Sequence, residues 1–262
     1  MDWRTLKSGE LWSLVASTHA ADLKANASFQ IASFNVERAY HAEEQRQYLQ
    51  QFDIVLLQEV DLGCKRTGSR NNLEVLAGKD FHGVFAVEFE EIDSPLRSAH
   101  LAGGGTHGNA ILSKWPIVAC GVVIFETCPY DWSKSGSQPR KGSRNAVWAD
   151  IVFDRNRAPM RVYSAHMENY CGAIERLSQL LEIVRHFGNQ EGPLVVGGDF
   201  NTLMHGVTRF MPFIYPAQHW KHRFFFLLFC FVLFCFVLFC FVLFCLFCFV
   251  LFCFVLFCFV HF

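Results

Sequence analysis

The sequence predicts an α/β fold in which two β-sheets stack face to face and helices cover the outside. Residues 29–203 alternate apolar, strand-like runs with polar helical stretches, the pattern of strands and helices sharing one core. The strand-like runs are consecutive and dense, and few long helices separate them. That density favours sheet on sheet over a single doubly wound sheet.

Along the chain, ELWSLVAS near the N-terminus has helical leanings, and the first 28 residues otherwise read as an extension ahead of the main domain. FQIASFNV at 29–36 has strand character, and HAEEQRQYLQQF at 41–52 reads as a polar helix. DIVLLQEV at 53–60 is apolar on both faces, as a fully covered strand must be. After a loop rich in Arg, Gly and Asn, further strands are expected at GVFAVEF, GNAILSKW, IVACGVVIF, NAVWADIVF and MRVYSAH. The clearest helix is AIERLSQLLEIVRHF, where Ile174, Leu177, Leu181 and Val184 share one face, Arg176 and Gln179 lie off it, and Gly188 supplies a stop. PLVVGGDFN at 193–201 closes the series as another buried strand.

The 262 residues carry a formal charge of −1, which gives no sign of a surface built to coat a polyanion. The opening MDWRTLKSGELWSLVAS lacks the apolar core of a secretory signal, so the default expectation is a cytoplasmic or nuclear protein. Cys64, Cys120, Cys128 and Cys171 form no CxxC pair and suit reduced thiols better than a zinc site or a disulfide framework.

From Phe224 the chain becomes a tract built on the unit FVLFC. A period of five fits neither a strand nor a helix. It does fit the repeating pentanucleotide TTTGT, so the tract has the look of a translated microsatellite, a gene-model or read-through product. The competing reading is a membrane anchor, because the run exceeds the ~20 apolar residues that cross a bilayer, and Lys221, His222 and Arg223 precede it as a basic flank. The organisation expected is an extension at 1–28, a domain at 29–223 and a hydrophobic tail at 224–262.

Polar side chains recur where apolar runs end: Asn35 after IASF, Glu59 after DIVLLQ, His166 after RVYSA, and Asp199 with Asn201 after LVVGG. Strand ends are where sheet scaffolds hold active groups, although each residue alone is more often a cap or turn. GGGTHG at 103–108 fits GxGxxG but leads into a strand-like run, so a dinucleotide site fails on context. GCKRTGSRN and SGSQPRKGSRN are basic and contain no aromatic residues for base stacking, and read as solvated loops.

Taken in order, SFNV at 33–36, LLQEV at 56–60, HGNAILSKWPI at 107–117, SRNAVWADI at 143–151, SAHMENYCGAIERLSQ at 164–179 and GGDFN at 197–201 resemble the endonuclease/exonuclease/phosphatase superfamily of metal-dependent phosphoesterases. The resemblance implies a four-layer sandwich of two mixed sheets flanked by helices. It also implies Mg²⁺, with Mn²⁺ as the alternative, held by Glu59 with Asn35 supporting the ion's shell. By the same resemblance Asp199 positions the attacking water, Asn201 and His166 contact the phosphoryl group, and Arg144 is a further anion contact. Arg176 and Gln179 are expected to serve packing or hydrogen bonding. The substrate would be a phosphoester in nucleic acid, phospholipid or inositol phosphate.

Members of that superfamily carry a further acidic residue and an Asp–His motif after GDFN. This sequence has no Asp or Glu after Asp199. The expectations are therefore a sandwich incomplete at its C-terminal end and a phosphoesterase domain inactive as written. The alternative is a non-catalytic phosphate- or partner-binding fragment attached to a membrane through its tail.

Overall fold

The computed structural model describes residues 2–17, 28–127, 129–154, 157–188 and 192–202. Residues Met1–Thr202 form one compact unit. Residues 203–262, and with them the proposed membrane tail at 224–262, lie outside the described residues. Among the described residues no helix is long and apolar enough to cross a membrane.

Ten strands and three α-helices build the unit: β1 (Leu11–Leu14), β2 (Ile31–Arg38), α1 (Ala42–Leu49), β3 (Ile54–Leu62), α2 (Asn72–Ala77), β4 (His82–Glu91), β5 (Thr106–Ser113), β6 (Ile117–Ile124), β7 (Arg140–Gly142), β8 (Asn145–Ile151), β9 (Met160–His166), α3 (Ala173–Phe187) and β10 (Leu194–Asp199). The first sheet runs β1-β4-β5-β3-β2, with β7 added to β4, and the second runs β10-β9-β8-β6. Both are mixed, because β2 pairs with β3 and β10 with β9 in parallel while the other pairs are antiparallel.

Alternation along the strands assigns the layers. Ile54 and Leu56 of β3, Val84 and Ala86 of β4 and Ile111 of β5 meet Val147, Ala149 and Ile151 of β8 and Val162 of β9 between the sheets. The residues interleaved with them, Val55, Leu57, Phe85, Val87 and Leu112, turn outward onto Leu49, Leu73 and Leu76 of α1 and α2. Tyr163 and Ala165 of β9 face outward onto Ile183 of α3. The result is the four-layer sandwich predicted from the sequence, helix–sheet–sheet–helix.

Three expectations change. ELWSLVAS forms a strand, not a helix: Leu11–Leu14 pairs antiparallel with β4, and Trp12 and Leu14 pack on the outer core. Four residues cannot sustain a helix without tertiary support, and the open edge of β4 offers them backbone partners. Second, α3 forms where expected but turns its apolar stripe to solvent. Ile174, Leu177, Leu181 and Val184 are exposed, while Arg176, Gln179 and Ile183 are buried. Its anchors are polar: Arg176 Nη1 donates to the Cys171 carbonyl at 3.0 Å, and Gln179 Nε2 donates to the Thr127 carbonyl at 2.9 Å. That is the hydrogen-bonding role expected for both residues. Third, the basic stretches are solvated only in part, since Lys65 and Lys141 are exposed but three arginines are not. The side chain of Arg66 is fully buried, and Arg140 and Arg144 are each only 6% exposed.

GGGTHG leads into β5, consistent with rejecting a dinucleotide site there. Cys64, Cys120 and Cys171 are free thiols, and Cys128 lies outside the described residues.

Candidate active site

Two backbone irregularities open the first sheet at one end. The β2–β3 pairing shifts between Asn35 and Arg38, and the β3–β5 pairing shifts between Leu57 and Val60. Bulges of this kind re-aim side chains beside functional sites. Glu59 sits in the second irregularity at φ 60°, a left-handed conformation that a non-glycine residue adopts at a cost of about 1–3 kcal/mol. Gln58, next to it, ties the sheets together: its Nε2 donates to Ser164 Oγ at 2.9 Å, and Ser164 Oγ donates to the Leu57 carbonyl at 2.8 Å. The irregular end of β3 is thereby fixed against β9.

On the second sheet Asp199 and His166 are direct partners in the parallel β10–β9 register. The glycine pair before Asp199 permits that approach. Gly198 has φ 145°, and a Cβ there would lie 1.9 Å from the Ala165 carbonyl oxygen. Gly198→Ala is expected to lose about 1–3 kcal/mol from backbone strain alone, more from the clash, and to displace Asp199. A thermal melt checks it, and an unchanged Tm would contradict the geometry.

The side chains converge. Asn35 Nδ2 donates to Asp199 Oδ2 at 3.1 Å, joining the first sheet to the second, and the same side chain favours the ionised form of the Glu59 carboxyl. Asn35 Oδ1 accepts from the Glu37 N–H at 3.0 Å, which fixes the amide's orientation. Asp199 Oδ1 accepts from the Asn201 N–H at 2.9 Å, and Asn201, at φ 51°, uses Nδ2 to hold the Met167 carbonyl at 2.7 Å. His166 Nε2 lies 3.9 Å from Asp199 Oδ2, with His166 only 2% exposed and Asp199 31% exposed, so the site opens at Asp199.

Behind His166 lies a buried group. Arg144 Nη1 is 2.8 Å from His166 Nδ1 and 3.2 Å from Glu88 Oε2. A guanidinium N–H can only donate, so wherever Nδ1 accepts from it the ring carries its proton on Nε2, the nitrogen nearer Asp199. Glu88 also lies 3.2 Å from Nδ1 and accepts from Asn109 Nδ2 at 3.1 Å. Asn109 Nδ2 is in turn 3.0 Å from Asn145 Oδ1, and Asn145 Nδ2 donates to the Val87 carbonyl. Arg144, expected to contact an anion, is instead committed to Glu88 and His166.

Burial works against charge on Glu59, yet His107, His166 and Arg144 together with the Asn35 hydrogen bond outweigh it and hold the carboxyl at about 2. Glu59 is therefore ionised at neutral pH. Glu88 is fully buried, which again opposes charge, and His166 and Arg144 bring it to about 2.

All five strand-end residues singled out in the sequence thus meet at one place. Glu88, Asn109 and Asn145 were missed as site residues, although Asn109 and Asn145 stand inside HGNAILSKWPI and SRNAVWADI. The donor chemistry suits a hard divalent cation. One ionised carboxylate and nearby amide oxygens match an ion that takes one or two protein oxygens and keeps its water. Among the described residues no group of three or more His, Cys, Asp or Glu side chains forms a closed metal site.

Comparison with known proteins agrees with the motif order. The model of the Endonuclease/Exonuclease/phosphatase family matches residues 32–224. No curated protein matches the chain. Similar solved structures include an endonuclease/exonuclease/phosphatase from Beutenbergia cavernae DSM 12333, at 19% identity and TM-score 0.47, covering 66% of this chain and 47% of that one. One from Bacteroides vulgatus matches at 20% identity and TM-score 0.45, covering 66% of each chain. The mannosyl-6-phosphatase of Bacteroides thetaiotaomicron VPI-5482 matches at 18% identity and TM-score 0.40, also over 66% of each. The chain thus spans between about half and two-thirds of the length of these structures.

Proposed function

Because this chain belongs to the endonuclease/exonuclease/phosphatase family, whose members generally use divalent metal ions on phosphoester substrates, we propose that its site binds a phosphoester for hydrolysis by water. The observation that carries this reading is the hydrogen bond from Asn35 of the first sheet to Asp199 of the second, with His166 beside Asp199.

Glu59 would hold the cation, Mg²⁺ by the oxygen-only donor set with Mn²⁺ as the alternative, and Asn35 would support it. When bound, the cation neutralises charge on the phosphoryl oxygens and acidifies water. The remaining work falls to the protein. His166, proton on Nε2, donates to a phosphoryl oxygen, while Arg144, itself held by Glu88, fixes the ring. Asp199, with each oxygen already held by one donor, keeps lone pairs free to orient a water and take its proton. Asn201 has one amide hydrogen committed to Met167 and a second available to the phosphate.

We further propose that turnover by this chain is slow. Residues 200–262 contain no Asp or Glu that could pair with a histidine there. That observation also favours a second reading, a module that binds a phosphoester without hydrolysing it. Membrane attachment through 224–262 is a separate proposal, tested by whether fractionation with membranes depends on those residues.

The test is Mg²⁺-dependent release of p-nitrophenolate from bis(p-nitrophenyl) phosphate by the full-length chain and its Asp199→Asn variant, with phosphate affinity measured alongside. A Mg²⁺-dependent rate above background that Asp199→Asn lowers ~10²–10³-fold, the scale of losing one catalytic proton acceptor, supports hydrolysis. Mg²⁺-dependent phosphate binding without turnover supports the binding module. Neither rate nor binding would remove both readings.

A further inference from the structure

A second group of buried charges adjoins the site, and its charges do not balance. Arg66 grips Asp61 with two hydrogen bonds, Nε to Oδ2 at 2.6 Å and Nη2 to Oδ1 at 2.7 Å, and also lies 3.1 Å from Glu91. Arg97 Nη2 donates to Glu91 Oε2 at 2.7 Å, and Arg140 Nε lies 3.0 Å from Glu91 Oε1. His107, buried against Asp61 at 2.8 Å, is shifted toward its neutral form, burial prevailing over the carboxylate's pull. Asp61 and Glu91 thus already serve three guanidinium groups.

Arg38 adds a fourth. Its Nη2 donates to Gln138 Oε1 at 3.1 Å, and Arg140 Nη2 donates to the same oxygen at 2.8 Å. Two cations are brought together on one neutral amide, which cannot offset their repulsion. No carboxylate among the described residues pairs with Arg38, and its buried Nε has no hydrogen-bond partner. The backbone also carries strain there, since Glu37, Arg38 and Ala39 have φ of 46°, 63° and 57°. A strained, uncompensated guanidinium persists when the surrounding structure holds it for another purpose.

Position suggests the purpose. Arg38 stands three residues beyond Asn35 at the end of β2. Arg140 and Arg144 both lie over the Trp132 ring, at 5.3 and 5.5 Å, and Arg144 reaches His166. A chain of contacts, Arg144, Trp132, Arg140 and Gln138, therefore links His166 to Arg38, with Glu88 and Glu91 pairing the two inner guanidinium groups.

We propose that Arg38, with Arg140 and Gln138 behind it, forms a second anion subsite that binds another phosphate group of the substrate. The inference rests on the phosphoester reading of the adjoining site. A second phosphate supplies the acceptor oxygens that Gln138 lacks, and a guanidinium can meet them in bidentate fashion. The shared chemistry is a substrate with two phosphates, whether neighbouring phosphates of a nucleic acid or those of a polyphosphorylated sugar.

The test compares equilibrium binding of two ligand pairs to the full chain with Mg²⁺: thymidine 3′,5′-bisphosphate against thymidine 5′-monophosphate, and fructose 1,6-bisphosphate against fructose 6-phosphate. In at least one pair the bisphosphate is expected to bind roughly 10- to 100-fold tighter, the worth of one charge-assisted hydrogen bond. Arg38→Gln should bring that ratio to about one and leave the monophosphate affinity unchanged. Arg38→Gly, which suits the left-handed backbone, should do the same and guards against a folding effect. The pair showing the preference identifies the source. No preference in either pair, or one that survives both variants, overturns the subsite. Glu59→Gln reads the adjoining site separately: a monophosphate affinity indifferent to it counts against the phosphoester reading and leaves the Arg38 ratio interpretable.

Discussion

Glu59→Gln is expected to abolish the response of this protein to Mg²⁺. The substitution keeps the shape and the Asn35 contact but removes the charge held ionised by a carboxyl at about 2. Partners one hydrogen bond removed from a metal ligand already cost about 10–100-fold in metal affinity when changed, so loss of the proposed ligand should cost at least that. In the wild type, Mg²⁺ at one hundred times its Kd adds about 2.7 kcal/mol of stability. At roughly 2–4 °C per kcal/mol for a unit of this size, the Tm should rise by about 5–11 °C. Glu59→Gln should show no such rise, and any Mg²⁺-dependent turnover should vanish with it. Glu59→Gly supplies a control, because glycine adopts φ 60° without strain. It removes the side chain without adding backbone strain, and its Tm should likewise ignore Mg²⁺. A Tm response that survives in both variants would sink the assignment of residue 59.

Much of this arrangement was legible before any coordinates. Strands covered on both faces leave continuous apolar runs, so DIVLLQEV and MRVYSAH announced themselves, and a polar residue closing such a run marks the end where loops can build a site. Asn35, Glu59, His166, Asp199 and Asn201 were found that way, and they meet. Glu88 escaped because it alternates with Val87 and Phe89, as a solvent-facing strand residue does, although it faces a buried arginine. Arg66 and Arg140 escaped for the reciprocal reason, and Arg144, singled out as an anion contact, was not matched to its carboxylate partner. They stand in Gly- and Ser-rich stretches whose composition signals water, whereas their partners Asp61, Glu88 and Glu91 lie in apolar strands. Ion pairs that join a loop to a strand leave no periodic trace in either segment. Helix α3 exposes a related limit. Periodicity locates an apolar face, but Arg176 and Gln179 dock the opposite one through backbone carbonyls that no pattern reveals.

Glu88→Gln should be the most destabilising of the conservative changes at the site. Glu88 is the carboxylate paired with Arg144, and both side chains are buried. Removing one partner of a buried pair leaves an uncompensated charge, at a cost of about 3–5 kcal/mol. At roughly 2–4 °C per kcal/mol, the Tm should fall by about 6–20 °C. The pH dependence separates this from a packing defect. Glu88 has its carboxyl lowered from 4.5 to about 2 in the folded protein, burial opposing the shift while His166 and Arg144 drive it. Between those values the unfolded chain binds the extra proton. The stabilisation is therefore complete above about pH 4.5 and is lost as pH falls toward 2, with a slope of up to about 1.4 kcal/mol per pH unit. Glu59 and Glu91, also held at about 2, add to the same acid limb. In Glu88→Gln one proton leaves that linkage, so the variant's curve of stability against pH should be shallower below 4.5 and run below the wild type's with a constant offset above it. Denaturant titrations from pH 3 to 7 measure both features. Parallel curves across the whole range would mean that the Glu88 carboxyl titrates alike in the folded and unfolded protein, and that Arg144 does not hold its charge.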